Sequence, residues 1–246
     1  MKTEKFQRRF YRDWVSHKDL KFSYVTYKET DLQILTNRPL DTKFVEECLR
    51  ILRWDIESYI TRDRRFLSAL KPVEVELHAP AIVKEMSEAG KLAFVGPMAA
   101  VAGAIAEFLG RDLLKEGYKD VIVENGGDIF IQSRKSRIVR IYTGSPKLWK
   151  DLSIKISPKM MPLGICTSSG TVGHSLSFGA ADSVVVLAKN AALADAVATA
   201  TANRVQSKAD LEPALKFARS IKGVKGVIII IKNNLASAGE VKFIKS

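Results

Sequence analysis

Apolar and polar residues alternate over Phe22–Tyr27 and again over Leu32–Leu35, with Lys28–Asp31 between them, which predicts a β-hairpin. The period then changes. Phe44, Val45, Cys48, Leu49, Leu52, Ile56, Tyr59 and Ile60 fall at helical spacing, so Asp41–Leu70 reads as one long helix with a buried stripe. Cys48 on that stripe reads as a small core hydrophobe. A short strand at Val73–Leu77 and a helix over Pro80–Ala89, stopped by Gly90, follow. Gly96-Pro97 opens a third helix, because proline suits a first turn, and Gly117 ends it.

The second half is richer in strands. Val121–Val123 and Ile129–Ile131 flank the loop Glu124–Asp128, and further strands are predicted at Ile138–Tyr142, Leu152–Ile156, Gly164–Thr167 and Val184–Ala188. Ala191–Asn203 is a helix behind an Asn190 cap, and Pro213–Ile221 is another. Val224–Ile231 and Glu240–Ile244 read as a closing hairpin across Asn233-Asn234. The pattern predicts an α+β fold, a mixed and largely antiparallel sheet packed with helices. The 246 residues are taken as one domain over 1–246, which leaves room for two lobes with the site between them.

Three properties narrow the function. The formal charge of +12 favours anionic partners, such as a phosphorylated small molecule. No zinc-finger spacing or RNA-binding aromatic signature is present, so nucleic acid is not the favoured partner. Two cysteines make no disulfide framework, Met1–Arg9 lacks the apolar core of a secretory signal, and Val227–Ile231 is too short to span a bilayer. A cytoplasmic protein with reduced thiols and no membrane partner is expected; a homo-oligomer is left open.

Four small-residue segments carry candidate chemistry. Gly96, Met98 and Ala99 open a helix whose small face admits a backbone or flat ligand and whose first N–H groups suit phosphate, though tight helix–sheet packing is the better reading of this segment alone. Asn125, Gly126, Gly127 and Asp128 form a turn that brings backbone close to a ligand, or a plain hairpin turn. Cys166, Thr167, Ser168, Ser169 and Gly170 begin a hydroxyl-rich run that ends near His174, a candidate acid, base or hydrogen-bond donor. Asp195 and Thr199, four residues apart, share one helix face and offer oxygens to a hard cation such as Mg2+, unless they are only an acid and its neighbour.

In this order the segments resemble the ApbE-like superfamily of magnesium-dependent flavin transferases, over about Phe94 to about Asn203. Val123–Ile129 is similar to that family's asparagine/glycine loop, Cys166–Gly170 to its threonine-serine-glycine segment, Gly173-His174 to its following histidine, and Ala194–Ala200 to its metal-binding helix. The resemblance implies FAD as substrate, Mg2+ held by Asp195 and Thr199, His174 near the phosphates, and a protein acceptor that takes FMN on threonine or serine. This chain has no lysine within Ala99–Gly103, and after its histidine it reads Ser175–Asp182 where the transferases carry aspartate-proline and threonine-glycine. It looks like a cytosolic branch of the superfamily found in archaea and some bacteria. Two alternatives stand beside flavin transfer. One is a sulfur-handling protein, carrying a persulfide on Cys166 in sulfur assimilation. The other is a non-enzymatic binding protein on the same fold. Cys166, His174 and Asp128 are the candidates for catalytic work.

Overall fold

A computed structural model describes residues 19–141, 149, 152–169 and 179–245. Its centre is an eight-stranded sheet in the order β1 (Lys21–Tyr27), β2 (Thr30–Thr36), β3 (Val121–Asn125), β4 (Asp128–Gln132), β7 (Leu163–Ser168), β8 (Ser183–Ala188), β9 (Val224–Ile231), β10 (Asn234–Gly239). Every neighbouring pair in it is antiparallel. A second sheet pairs β5 (Arg137–Arg140), β6 (Leu152–Ile156) and β11 (Phe243–Lys245), again antiparallel. Together with the helices this is the expected α+β, largely antiparallel architecture.

Strand alternation divides the interior into two cores. Val121, Val123, Phe130, Cys166, Val184, Val186, Val227 and Ile229 belong to the core beneath the helices. Ile122, Ile129, Ile131, Ile165, Val185, Leu187, Ile228 and Ile230 pack with Val139, Ile154 and Ile156 of the small sheet. The large sheet is therefore sandwiched, which explains why its central strands are continuous apolar runs rather than half-polar ones.

The helical layer comprises α1 (Thr42–Arg62), α2 (Arg65–Ser68), α3 (Ala81–Ala93), α4 (Val101–Lys115), α5 (Ala191–Ala202) and α6 (Leu211–Ser220). Both side-chain caps on the longer helices are local and legible. Asp41 Oδ1 accepts from Phe44 N at 3.1 Å, and Asn190 Oδ1 accepts from Leu193 N at 2.8 Å. Among the described residues no single helix is long and apolar enough to cross a membrane.

Four expectations need correction. The helix predicted over Asp41–Leu70 ends at Arg62; Asp63 turns extended, and its carboxylate accepts from Arg65 N at 3.0 Å to start α2. Val73–Leu77 is not a strand, and the Val73 carbonyl instead accepts from Ser87 Oγ on α3 at 2.6 Å. Gly90 lies inside α3, which runs on to a left-handed Phe94; a Cβ at Gly90 would stand 2.8 Å from the Val95 carbonyl. The partner of β9 is Asn234–Gly239, not Glu240–Ile244. At Gly239 (φ 88°) the chain leaves the large sheet, and Phe243–Lys245 pairs with β6.

Candidate functional site

The strand–turn–strand segment Val121–Gln132 closes through Gly126 and Gly127, with φ of 66° and 106°. Positive φ at both central residues is the tight hairpin turn whose twist matches its strands, and glycine adopts it without strain. The turn puts Asn125 and Asp128 opposite each other at the end of the hairpin, and Glu124 Oε1 accepts from Gly127 N at 2.7 Å. By alternation Asn125 lies on the helix face with Val121 and Val123, and Asp128 lies there with Phe130. On the next strand Cys166 is the register partner of Asp128.

The helices α4 and α5 meet this face in opposite directions, and each serves the other's N-terminus. Glu107 Oε2 on α4 accepts from Ala191 N, the first residue of α5, at 2.7 Å. Asp195 Oδ2 on α5 accepts from Gly103 N in the first turn of α4 at 2.9 Å. Exposed N–H groups and the positive end of the helix dipole are satisfied in both cases. The approach requires small residues. A Cβ on Gly103 would stand 2.3 Å from the Ala191 carbonyl oxygen and 2.8 Å from Asp195 Cβ, and one on Gly164 would stand 2.4 Å from Ala191 Cα. Asn125 Nδ2 donates to the Ala102 carbonyl at 3.0 Å, so the hairpin is tied to the same turn of α4 that holds Asp195.

Two carboxyls and a thiol are thereby gathered in a buried place. Burial, and then the nearby Glu124, push the Asp128 carboxyl up to about 7, against the Cys166 thiol and the Thr167 backbone N–H. Burial, and then Asp128, push the Asp195 carboxyl well above the ordinary range, against the N–H groups of Gly103 and Ala102. Burial, and then the carboxylates of Asp128 and Asp195, push the Cys166 thiol well above its ordinary value. Cys166 Sγ also donates to the Ala191 carbonyl at 3.3 Å. Asp128 Oδ1 is buried with no hydrogen-bond partner among the described residues, and so is Ser168 Oγ.

Of the residues singled out in the sequence, Asn125, Gly126, Gly127, Asp128, Cys166 and Asp195 come together here. Thr199 is buried one helical turn beyond Asp195. Thr167 is half-buried, and Ser168 and Ser169 are buried, at the end of β7. Met98 and Ala99 are half-buried on the 3-10 turn Pro97–Ala100 that precedes α4. Gly96 is tight against protein: a Cβ there would stand 1.7 Å from the Ala69 carbonyl oxygen. Gly170 and His174 lie outside the described residues. Sequence reasoning missed Glu107 and the N–H groups of Ala102 and Gly103. The only signal was an acid within an otherwise apolar helix face, Ile105–Leu109.

The residues suit a hard cation. The orphaned Asp128 carboxylate oxygen, and the Asp195 carboxyl whose proton affinity Asp128 raises, would both be relieved by positive charge. Among the described residues no group of three His, Cys, Asp or Glu is spaced to hold a metal. The protein thus offers at most a carboxylate pair, with hydroxyl and carbonyl oxygens, and leaves positions to ligand oxygens; Mg2+ commonly binds in this way.

Comparison with known proteins identifies the fold and the family. A UPF0280 protein of Methanocaldococcus jannaschii is 39% identical over 222 residues, covering 88% of this chain and 90% of the relative. One of Methanosarcina acetivorans is 37% identical over 215 residues, covering 87% and 85%. Among solved structures, the flavin transferase ApbE from Vibrio cholerae superposes with a TM-score of 0.60 at 15% identity, covering 89% of this chain and 97% of that one. The apo flavinyl transferase ApbE from Pseudomonas stutzeri superposes with a TM-score of 0.59 at 13% identity, covering 89% and 94%. At these identities the superpositions show a shared fold. The family model described as AbpE bacteria matches residues 12–237, and the chain belongs to that family.

Proposed function

We propose that this protein binds FAD with Mg2+ at the centre formed by Asp128, Asp195 and Thr199, and transfers FMN to a hydroxyl of a protein acceptor. The observation that carries the reading is the pair of buried Asp128 and half-buried Asp195, with Asp128 Oδ1 unpartnered among the described residues, beside the first turn of α4. Asp195 and Thr199 would hold the cation, which when bound would neutralise charge on a pyrophosphate. The Gly126-Gly127 turn gives a ligand access to backbone. The acceptor oxygen would attack the FMN phosphorus, the bond to the AMP oxygen would break, and the hydroxyl proton would pass to a base. Asp128, whose Oδ1 has no hydrogen-bond partner among the described residues, would be that base.

The protonated, buried Cys166 thiol favours this reading over persulfide chemistry, which needs a thiolate. The test is flavin binding, followed by fluorescence, with and without Mg2+, in the parent protein and in Asp195→Asn. Asparagine keeps an acceptor oxygen for Gly103 N–H and removes the charge. FAD affinity is expected to rise at least ~10-fold with Mg2+ in the parent and to be indifferent to Mg2+ in the variant. Equal Mg2+ dependence in both, or no FAD binding at all, would overturn the reading.

A further inference from the structure

Phe94 ends α3 in the left-handed region, with φ 60° and ψ 39°. Its N–H bonds back to the last turn, and Val95 N donates to the Gly90 carbonyl at 2.9 Å, the usual left-handed close of a helix. Glycine is the residue that takes this position without penalty; a bulky aromatic there is strained. Phe94 gains no burial in return, since it is 66% exposed. Leu70 (64%) and Leu67 (49%) are exposed just across the contact of the Ala69 carbonyl with Gly96. Arg62, Arg64 and Lys71 are exposed and close to these leucines along the chain, Arg62 lies over the Tyr59 ring, and none of the three has an ion-pair partner among the described residues, whereas Arg65 pairs with Asp63. From this patch the turn Pro97–Ala100 leads directly into Ala102 and Gly103, the residues that hold Asn125 and Asp195.

We propose that Phe94, Leu70 and Leu67, with Arg62, Arg64 and Lys71, form the dock for the acceptor protein, and that the acceptor's docking segment is apolar and acidic. This deepens the transferase reading and rests on it. Charge chooses the occupant. A second copy, meeting the patch by two-fold symmetry, would set the same cations against themselves. Residues 1–18 carry six Lys or Arg against two acids and would be repelled likewise. A partner supplying Asp and Glu around apolar anchors meets both the leucine–phenylalanine surface and its cationic border.

The experiment uses the full chain and a fluorescent amphipathic peptide, with Leu and Phe on one face, Glu on the other and a single Thr. A second peptide has Lys for Glu. The acidic peptide is expected to bind at least ~10-fold more tightly than the basic one. Phe94→Gly and Leu70→Ser are each expected to weaken it at least ~10-fold while leaving Mg2+-dependent FAD affinity unchanged. Phe94→Gly is also expected to raise the melting temperature by about 2–4 °C, since glycine relieves the backbone strain. Several results would overturn the proposal: equal binding of the two peptides, unchanged binding by Phe94→Gly, or a lower melting temperature for that variant. Two more would assign the surface elsewhere: binding to anionic vesicles but not to the peptide, or a dimer that Phe94→Gly dissociates. Absence of FAD binding in the parent protein would sink the transferase reading instead, a separate outcome.

Discussion

Asp128 is a carboxyl group placed where its charge is costly. It is 8% exposed, has Glu124 near it, and faces a thiol that stays protonated. Its folded pKa of about 7 lies above the ordinary value of 3.8, so the folded chain binds the extra proton between about pH 4 and pH 7. Stability contributed by this group is therefore full at low pH and lost as pH rises through 7. The Asp195 shift has the same sign and adds to the loss. In metal-free protein, stability read from thermal melts is expected to fall as pH rises from about 4 to about 7, by a few kcal/mol at most, and the Asp195 shift extends the fall upward. Asp128→Asn should flatten that decline, and Mg2+ should restore the parent at pH 8. A pH-independent melting curve for the parent would show that these carboxyls are not strained by burial.

At the scale of elements, the centre depends on how α4 and α5 cap each other. Glu107 is buried, its carboxyl is raised by that burial, and it holds both Ala191 N–H and Arg111, the latter at 2.8 Å. Removing it by Glu107→Ala strands a buried donor and should cost about 1–3 kcal/mol. Glu107→Gln keeps an acceptor oxygen and should cost less; equal losses in denaturant titrations would mean that the capping bond contributes little.

Much of each element was legible beforehand. Asp195 and Thr199 share a helix face by spacing alone, Asn190 announced its helix, and the Gly126-Gly127 turn was readable between two apolar runs. The Asp195 bond to Gly103 was not legible, because it is set by the crossing of two helices whose partners lie 92 residues apart. The pairing of Asp128 with Cys166 depends likewise on the register of β4 and β7. Local alternation misled at Val73–Leu77, where the carbonyl of Val73 goes to a helix side chain and no sheet edge is joined. β10 was overlooked because Leu235–Ala238 is small and half-exposed, unlike the isoleucine run it pairs with.

At the scale of the whole molecule, three layers give the centre its rigidity. The central strands of the large sheet are buried on both faces, so the hairpin bearing Asn125 and Asp128 projects from a framework packed by two separate cores. The chain as a whole carries a net charge of +12, which favours anionic ligands, whereas the centre itself is acidic. An acidic centre within a basic protein needs a cation to accept a pyrophosphate, and this requirement joins the carboxylate pair to the proposed chemistry.

That requirement is open to direct observation. Crystals grown with FAD and Mn2+, a scatterer that substitutes for Mg2+, can be measured at the manganese absorption edge. An anomalous peak within ligating reach of Asp195, on the Asp128 side of α5 and bridged to phosphate oxygens, is expected. A peak elsewhere with both carboxylates free, or bound FAD with no metal beside them, would contradict the assignment of this centre.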